Sequence, residues 1–277
     1  MASMPLISCT QPMDRAPPPT PPVSSMSPSS TASTTTTSTV PTAGNSRPAW
    51  LGTRTLPLRP DGFGEITPTP PELVDRRLVT VDFLPPPAGE DLEWSVTEIP
   101  AEVLARSTWG PECPVGREML RYIKVSFFGF DERFHTGELI VHRTAATGMV
   151  EVFRRLHAER FPIEEMKVVS VEERDRPPTG DGNNTTAFVC REIRGGESWS
   201  QHAYGLAIDV NSFHNPYVKE DLVLPELASA YVDRERGLPG MIYRGDVVAR
   251  AFARMGWEWG GDWRSLKDWQ HFSSNGR

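Results

Sequence analysis

Two short stretches hold the residue types that metal-dependent hydrolysis needs. Trp199-Ser200-Gln201-His202-Ala203-Tyr204-Gly205-Leu206-Ala207-Ile208-Asp209 carries an imidazole and a carboxylate seven positions apart. Asp268-Trp269-Gln270-His271-Phe272 carries a second imidazole with a carboxylate three residues before it. Together they offer two imidazoles, one carboxylate ligand and one spare carboxylate. Three protein ligands and an open position describe a catalytic zinc site, because the fourth position must admit the attacking water. The second stretch turns a possible structural metal site into a candidate hydrolase.

These groups act together only if the backbone aims them at one point. From Gly205 to Asn211 the sequence alternates, so that Leu206, Ile208 and Val210 share one face of a strand and Ala207 and Asp209 share the other. The apolar set faces a core, and Asp209 points outward beside a small residue that leaves room for a metal. A helix would also align positions seven apart, but Gly205, the β-branched pair and Asn211 favour strand. Tyr204-Gly205 suits a turn that swings His202 back over the same face.

The surrounding pattern predicts an α+β domain with one layered core. Val79–Leu84 alternates as a strand ended by Pro85-Pro86-Pro87. Two further strands, Leu120–Phe130 and Gly137–His142, flank the polar turn Asp131-Glu132-Arg133. Val150, Phe153, Leu156 and His157 fall at helical spacing in a segment that stops before Pro162, and Met166–Val171 returns to strand. Asp246 caps a helix whose apolar face is Val247, Val248, Ala251, Phe252 and Met255, with Gly256 as its stop. Residues 1–77 are expected to be a disordered tether rich in Pro, Ser and Thr, and residues 78–277 the folded domain.

Other histidines compete less well. His135 and His142 are also seven apart with Glu138 between them, but no third ligand is obvious. His157 sits on an amphipathic helix, where packing or surface exposure is expected. His214 follows the first motif in a loop and could line the same cleft. Neither a His-Glu-x-x-His zinc helix nor a phosphate-binding loop nor a Gly-x-Ser-x-Gly elbow occurs.

The 277 residues carry a formal charge of −7. That balance argues against nucleic acid as the main partner, since phosphate binding needs a basic footprint. Three cysteines fit an extracytoplasmic protein. Pro5-Leu6-Ile7-Ser8-Cys9-Thr10 resembles the end of a bacterial lipoprotein signal, although the basic and apolar regions expected before it are missing. A lipid on Cys9 would be the chain's one membrane attachment. Cys113 and Cys190 then remain as an even pair, open to two readings: a disulfide in an oxidising compartment, or two buried thiols.

The run Ser200-Gln201-His202-Ala203-Tyr204-Gly205-Leu206-Ala207-Ile208-Asp209 resembles the first motif of VanY- and VanX-type zinc peptidases. Trp257-Glu258-Trp259-Gly260-Gly261-Asp262-Trp263 followed by Asp268-Trp269-Gln270-His271-Phe272 looks like their second motif. These are bacterial D-alanyl-D-alanine carboxypeptidases and dipeptidases, related to phage L-alanyl-D-glutamate endopeptidases and sharing the Hedgehog fold. The resemblance is clear from about Asn184 to Phe272 and weaker upstream to about Leu120.

It implies an antiparallel sheet with flanking helices around a zinc cleft, and a monomer acting on peptidoglycan stem peptides. By matching position it makes His202, Asp209 and His271 the Zn2+ ligands. Asp268 takes the place of the general base toward the attacking water, where many relatives have Glu. Ser200 matches a substrate-binding position. An arginine on a preceding strand holds substrate in the family; Arg191 is the first candidate, with Arg174 and Arg176 as rivals. The activity implied is D-alanyl-D-alanine carboxypeptidase. Alternatives are L-alanyl-D-glutamate endopeptidase and, from another class, a non-catalytic wall-binding module that keeps zinc for structure.

Overall fold

The computed structural model describes residues 44–193 and 196–277; the expected tether up to residue 43 and Cys9 lie outside the described residues. Its architecture is mixed α and β, with small antiparallel sheets and few helices. The longest ladder is the hairpin of β2 (Leu120–Phe128) and β3 (Phe134–His142), to which β1 (Trp94–Thr97) adds an antiparallel edge. Ile123, Val125, Phe127, Leu139 and Val141 bury one face of that hairpin, as alternation of apolar residues predicts. The strands stop at Phe128 and start at Phe134, so the Asp131-Glu132-Arg133 turn lies where expected.

Helices α1 (Pro71–Val74) and α2 (Ala101–Ala105) are single turns, whereas α3 (Ala146–Ala158) packs its Met149, Val150, Phe153 and Leu156 face on the hairpin. After β4 (Glu165–Met166) the chain does not continue as strand. Ser170 and Glu173 form a reciprocal capping box that starts α4 (Val171–Arg174), so a local polar signal overrides the apolar run Met166–Val171. Strand β5 (Asn184–Thr185) runs parallel to β4. The remaining strands are β6 (Ala207–Asp209), β7 (Tyr217–Lys219), β8 (Leu222–Leu224), β9 (Glu258–Trp259), β10 (Lys267–Asp268) and β11 (His271–Ser273). They form two sheets of order β6-β11-β9 and β10-β7-β8. Helix α5 (Val247–Arg254) has the expected cap, Asp246 Oδ1 accepting from the Ala249 N–H, and packs on α3. Gly256 turns the chain at φ +82°.

Two sequence expectations fail upstream. Val79–Leu84 is not a strand: one bridge joins Leu78 to Asn45 and no ladder follows. Leu78 and Thr80 point inward while Val81 and Phe83 are exposed, so the apolar alternation reported neither pairing nor burial. The expected boundary at Leu78 is also too late. Trp50, Leu51, Leu56, Ile66 and Leu73 pack into a second core with Phe213, Leu227, Tyr231 and Met241. Arg76 is fully buried, one guanidinium edge donating from Nε and Nη2 to Glu164 at 2.7 and 2.8 Å. Proline-rich sequence withholds N–H donors, but it does not prevent an irregular arm from docking by scattered apolar anchors and ion pairs.

Candidate metal centre

His202 sits in a single 3-10 turn, Gln201–Tyr204, started by Ser200, whose Oγ accepts the His202 N–H at 3.3 Å. Gly205 ends the turn at φ +67°, and a Cβ there would lie 2.5 Å from the backbone nitrogen of His142. Only glycine fits both the left-handed conformation and that approach. The turn carries the imidazole back over β6, as the Tyr204-Gly205 pair predicted. On β6, Asp209 is held on one side by Thr186 and on the other by β11, where His271 is its direct cross-strand partner. Antiparallel register therefore brings together two ligands that are far apart in sequence.

The two rings are oriented from behind. His202 Nδ1 lies 2.6 Å from the Ala187 carbonyl and His271 Nε2 lies 3.1 Å from the Arg277 main-chain oxygen. Carbonyls only accept, so each ring carries its proton on that nitrogen and turns a lone pair inward. His202 Nε2 and His271 Nδ1 are 3.3 Å apart, and they lie 3.2 and 3.0 Å from Asp209 Oδ1. Three such atoms at this spacing need either a proton or a metal cation among them. Bonds of about 2.0–2.1 Å in a tetrahedral zinc site put ligand atoms roughly 3.3 Å apart. The donor set fits zinc in identity, count and spacing.

Electrostatics agree. Burial raises the Asp209 carboxyl, but the His202 and His271 rings outweigh it and hold it far below the usual carboxylate range. Burial lowers His271, and the hydrogen bond and charge of Asp209 outweigh that and push it up to about 8. A positive charge is favoured at this point of the molecule.

Asp268 comes from a different strand. Strand β10 pairs with β7, Asp268 opposite Tyr217, and Gly260 has no side chain because a Cβ would meet the Asp268 carbonyl at 2.5 Å. Asp268 Oδ1 is buried without a hydrogen-bond partner. Burial and then the Asp209 charge drive its pKa up to about 7, against the charges of His271 and Arg191. An unpartnered carboxylate oxygen with a pKa near neutrality is what a general base requires.

All six residues singled out in the sequence, His202, Asp209, His271, Asp268, Ser200 and Arg191, line one cavity of about 1060 Å3. The rivals Arg174 and Arg176 line it too, but Arg174 is engaged with Asp175 and with the Cys190 carbonyl. Cys190 is bonded to Cys113 at 2.04 Å, which decides between the two readings of that pair and places the bridge one residue from Arg191. The second histidine set dissolves. His135 lies between Asp82 and Asp131 at 2.8 and 2.9 Å, His142 holds Thr144, and Glu138 pairs with Arg106. His157 stacks on Phe134, and His214 is buried against Phe130 rather than lining the cleft.

Sequence reading placed Trp263 in the second motif but gave it no role; its buried Nε1 is unpartnered and its ring lies 5.5 Å from that of His271. It also missed the cleft wall made by the N-terminal arm, where Arg47, Leu51, Gly52 and Phe63 line the same cavity. A tryptophan five residues before Asp268 was available as a signal; the arm offered none.

Residues 194–274 match a family model described as D-alanyl-D-alanine carboxypeptidase. The matched segment spans the 3-10 turn, β6, β10 and β11, and with them all three ligands and Asp268. It is therefore similar to a peptidase domain, the class of hydrolytic enzymes to which the two motifs pointed. Comparison with curated proteins and with solved structures gave no match.

Proposed function

We propose that this chain is a zinc-dependent peptidase of peptidoglycan stem peptides, with the Hedgehog-like fold of the D,D-peptidases, and that it removes the terminal D-alanine as a D-alanyl-D-alanine carboxypeptidase. The observation that carries the reading is the convergence of His202, Asp209 and His271 at mutual distances of 3.0–3.3 Å beside the unpartnered carboxylate of Asp268. A wall-binding module that keeps zinc for structure has no use for a carboxylate with a buried, unpartnered oxygen, which costs stability.

Zinc held by His202, Asp209 and His271 supplies a Lewis acid and a means of lowering the pKa of water. Asp268 takes the proton of the attacking water and returns it to the leaving amine. Arg191 pairs with the terminal carboxylate of the substrate and so fixes which bond is presented. Ser200 Oγ accepts the His202 N–H with one lone pair and keeps its own proton to donate to the peptide. The chain works as a monomer outside the cytoplasm. Its disulfide supports that compartment, and the lipoprotein-like Cys9 motif suggests anchorage there.

The deciding assay is zinc analysis of the wild type and of His271→Ala, combined with mass spectrometry of muropeptides after digestion. The expected result is zinc in the wild type alone and loss of one terminal D-alanine. Release of whole stems would replace the carboxypeptidase with an L-alanyl-D-glutamate endopeptidase. Intact muropeptides with zinc bound would overturn the enzymatic reading.

A further inference from the structure

The arm before Leu78 lies outside the segment that matches the peptidase family, yet it is built into the cleft. Its charged contacts serve as anchors. Arg76 and Arg47 pair with Glu164, the Gly52 N–H donates to Asp181 Oδ2 at 2.7 Å, and the Gly64 N–H donates to Glu226 Oε1 at 2.9 Å. Thr69 adds bonds to Leu227 and Ser229. Besides Arg47 and Arg76, whose guanidinium groups are paired with Glu164, the arm brings the apolar surface of Leu51 and Phe63 and the bare backbone of Gly52 to the cavity. Leu222 and Leu224 of β8 line the same space, and the Arg59–Asp221 ion pair holds the arm beside them.

Size points the same way. A cavity of about 1060 Å3 lies at the upper end of the roughly 300–1,000 Å3 that encloses a whole drug-sized ligand. The two residues flanking a cut bond fill only part of it. We propose that the arm forms a distal subsite that takes the peptide beyond those two residues, contacting main chain and short aliphatic side chains through Leu51, Gly52 and Phe63. The inference rests on the peptidase reading for the placement of the cut bond, and it assigns the arm a role in choosing long substrates over short ones.

The test compares an acetylated tripeptide ending in D-alanyl-D-alanine with the same peptide extended by two alanines at its amino end. Calorimetry on zinc-loaded Asp268→Asn protein reads binding without turnover. The extended peptide should bind about tenfold more tightly, a discrimination within reach of apolar contacts. Phe63→Ala should abolish that advantage and leave the short peptide unaffected. Gly52→Asn provides a second variant that adds a side chain where a Cβ meets nothing within 4 Å, in a left-handed conformation that asparagine tolerates. It should block the extended peptide selectively. Equal affinity for the two peptides, or variants that weaken both alike, overturns the proposal. If the binding pattern holds while zinc-loaded wild type leaves both peptides intact, the subsite stands and the carboxypeptidase reading falls.

Discussion

Replacing Asp268 by asparagine should cost activity and add stability, and the size of the gain can be worked from its surroundings. The carboxyl rises from an ordinary 3.8 to about 7, chiefly because burial penalises the charged form. That is a rise of about three pKa units, each about 1.4 kcal/mol, so ionised Asp268 disfavours the zinc-free fold by about 4 kcal/mol. The sign follows from the two protonation states. Below about pH 4 the group is protonated in both folded and unfolded chains and costs nothing. Between 3.8 and about 7 the unfolded chain ionises first and stability falls; above about 7 the full penalty is present. Asparagine keeps the shape and never ionises. Urea unfolding of the zinc-free protein should therefore show Asp268→Asn about as stable as wild type at pH 4 and up to about 4 kcal/mol more stable at pH 8. The zinc-loaded variant should lose about 10²- to 10⁴-fold in kcat, the usual contribution of a positioned base. A variant that is less stable than wild type at pH 8 would refute the claim that the half-buried Asp268, with one oxygen buried and unpartnered, disfavours ionisation. Unchanged kcat would refute its role as base.

Arg191→Met should raise KM by about 10- to 100-fold for peptides with a free terminal carboxylate, the loss expected for a charge-assisted pair, and leave kcat nearly unchanged. Amide-capped peptides should show no difference in the same steady-state assay. Arg76→Met leaves buried Glu164 only the partly exposed Arg47 and the Asn183 amide as partners and should destabilise the fold by up to about 3–5 kcal/mol in denaturant titrations. Burial raises Glu164, but Arg76 outweighs it and holds its pKa down at about 2, against an ordinary 4.5. The stability this gives, about 3 kcal/mol, is present above pH 4.5 and lost as pH falls toward 2. Glu164→Gln should lack that acid-side loss in a pH series of melting curves. Replacing Cys113 and Cys190 together by serine opens a loop with a sequence separation of 77 and should cost about 4 kcal/mol, measured by urea unfolding.

What the sequence made legible, and what it did not, follows from how far apart the interacting parts lie. His202, Gly205 and Asp209 belong to one local unit, so residue type and a period of two were enough to place turn, strand and ligand face. His271 could be named from its own motif, but its position opposite Asp209 depends on a β6–β11 register that no local pattern encodes. Asp268 shows the same limit, since its environment comes from β7, Gly260 and a burial that only the folded chain creates. The N-terminal arm was misread for a related reason. Its anchors at Trp50, Leu51, Leu56, Ile66 and Leu73 follow neither a helical nor a strand period, and their partners lie more than a hundred residues downstream. A composition rich in proline means few backbone hydrogen bonds, which is different from having nowhere to dock. Arg76 draws that distinction most clearly. Nothing in its neighbourhood marks it as special, yet it is fully buried and joins the arm to Glu164, Asp181 and, through its own carbonyl, to His214 just beyond the metal motif. A charged residue inside a proline-rich lead-in is therefore weak evidence of a tether when an acid that can pair with it lies in the adjoining domain.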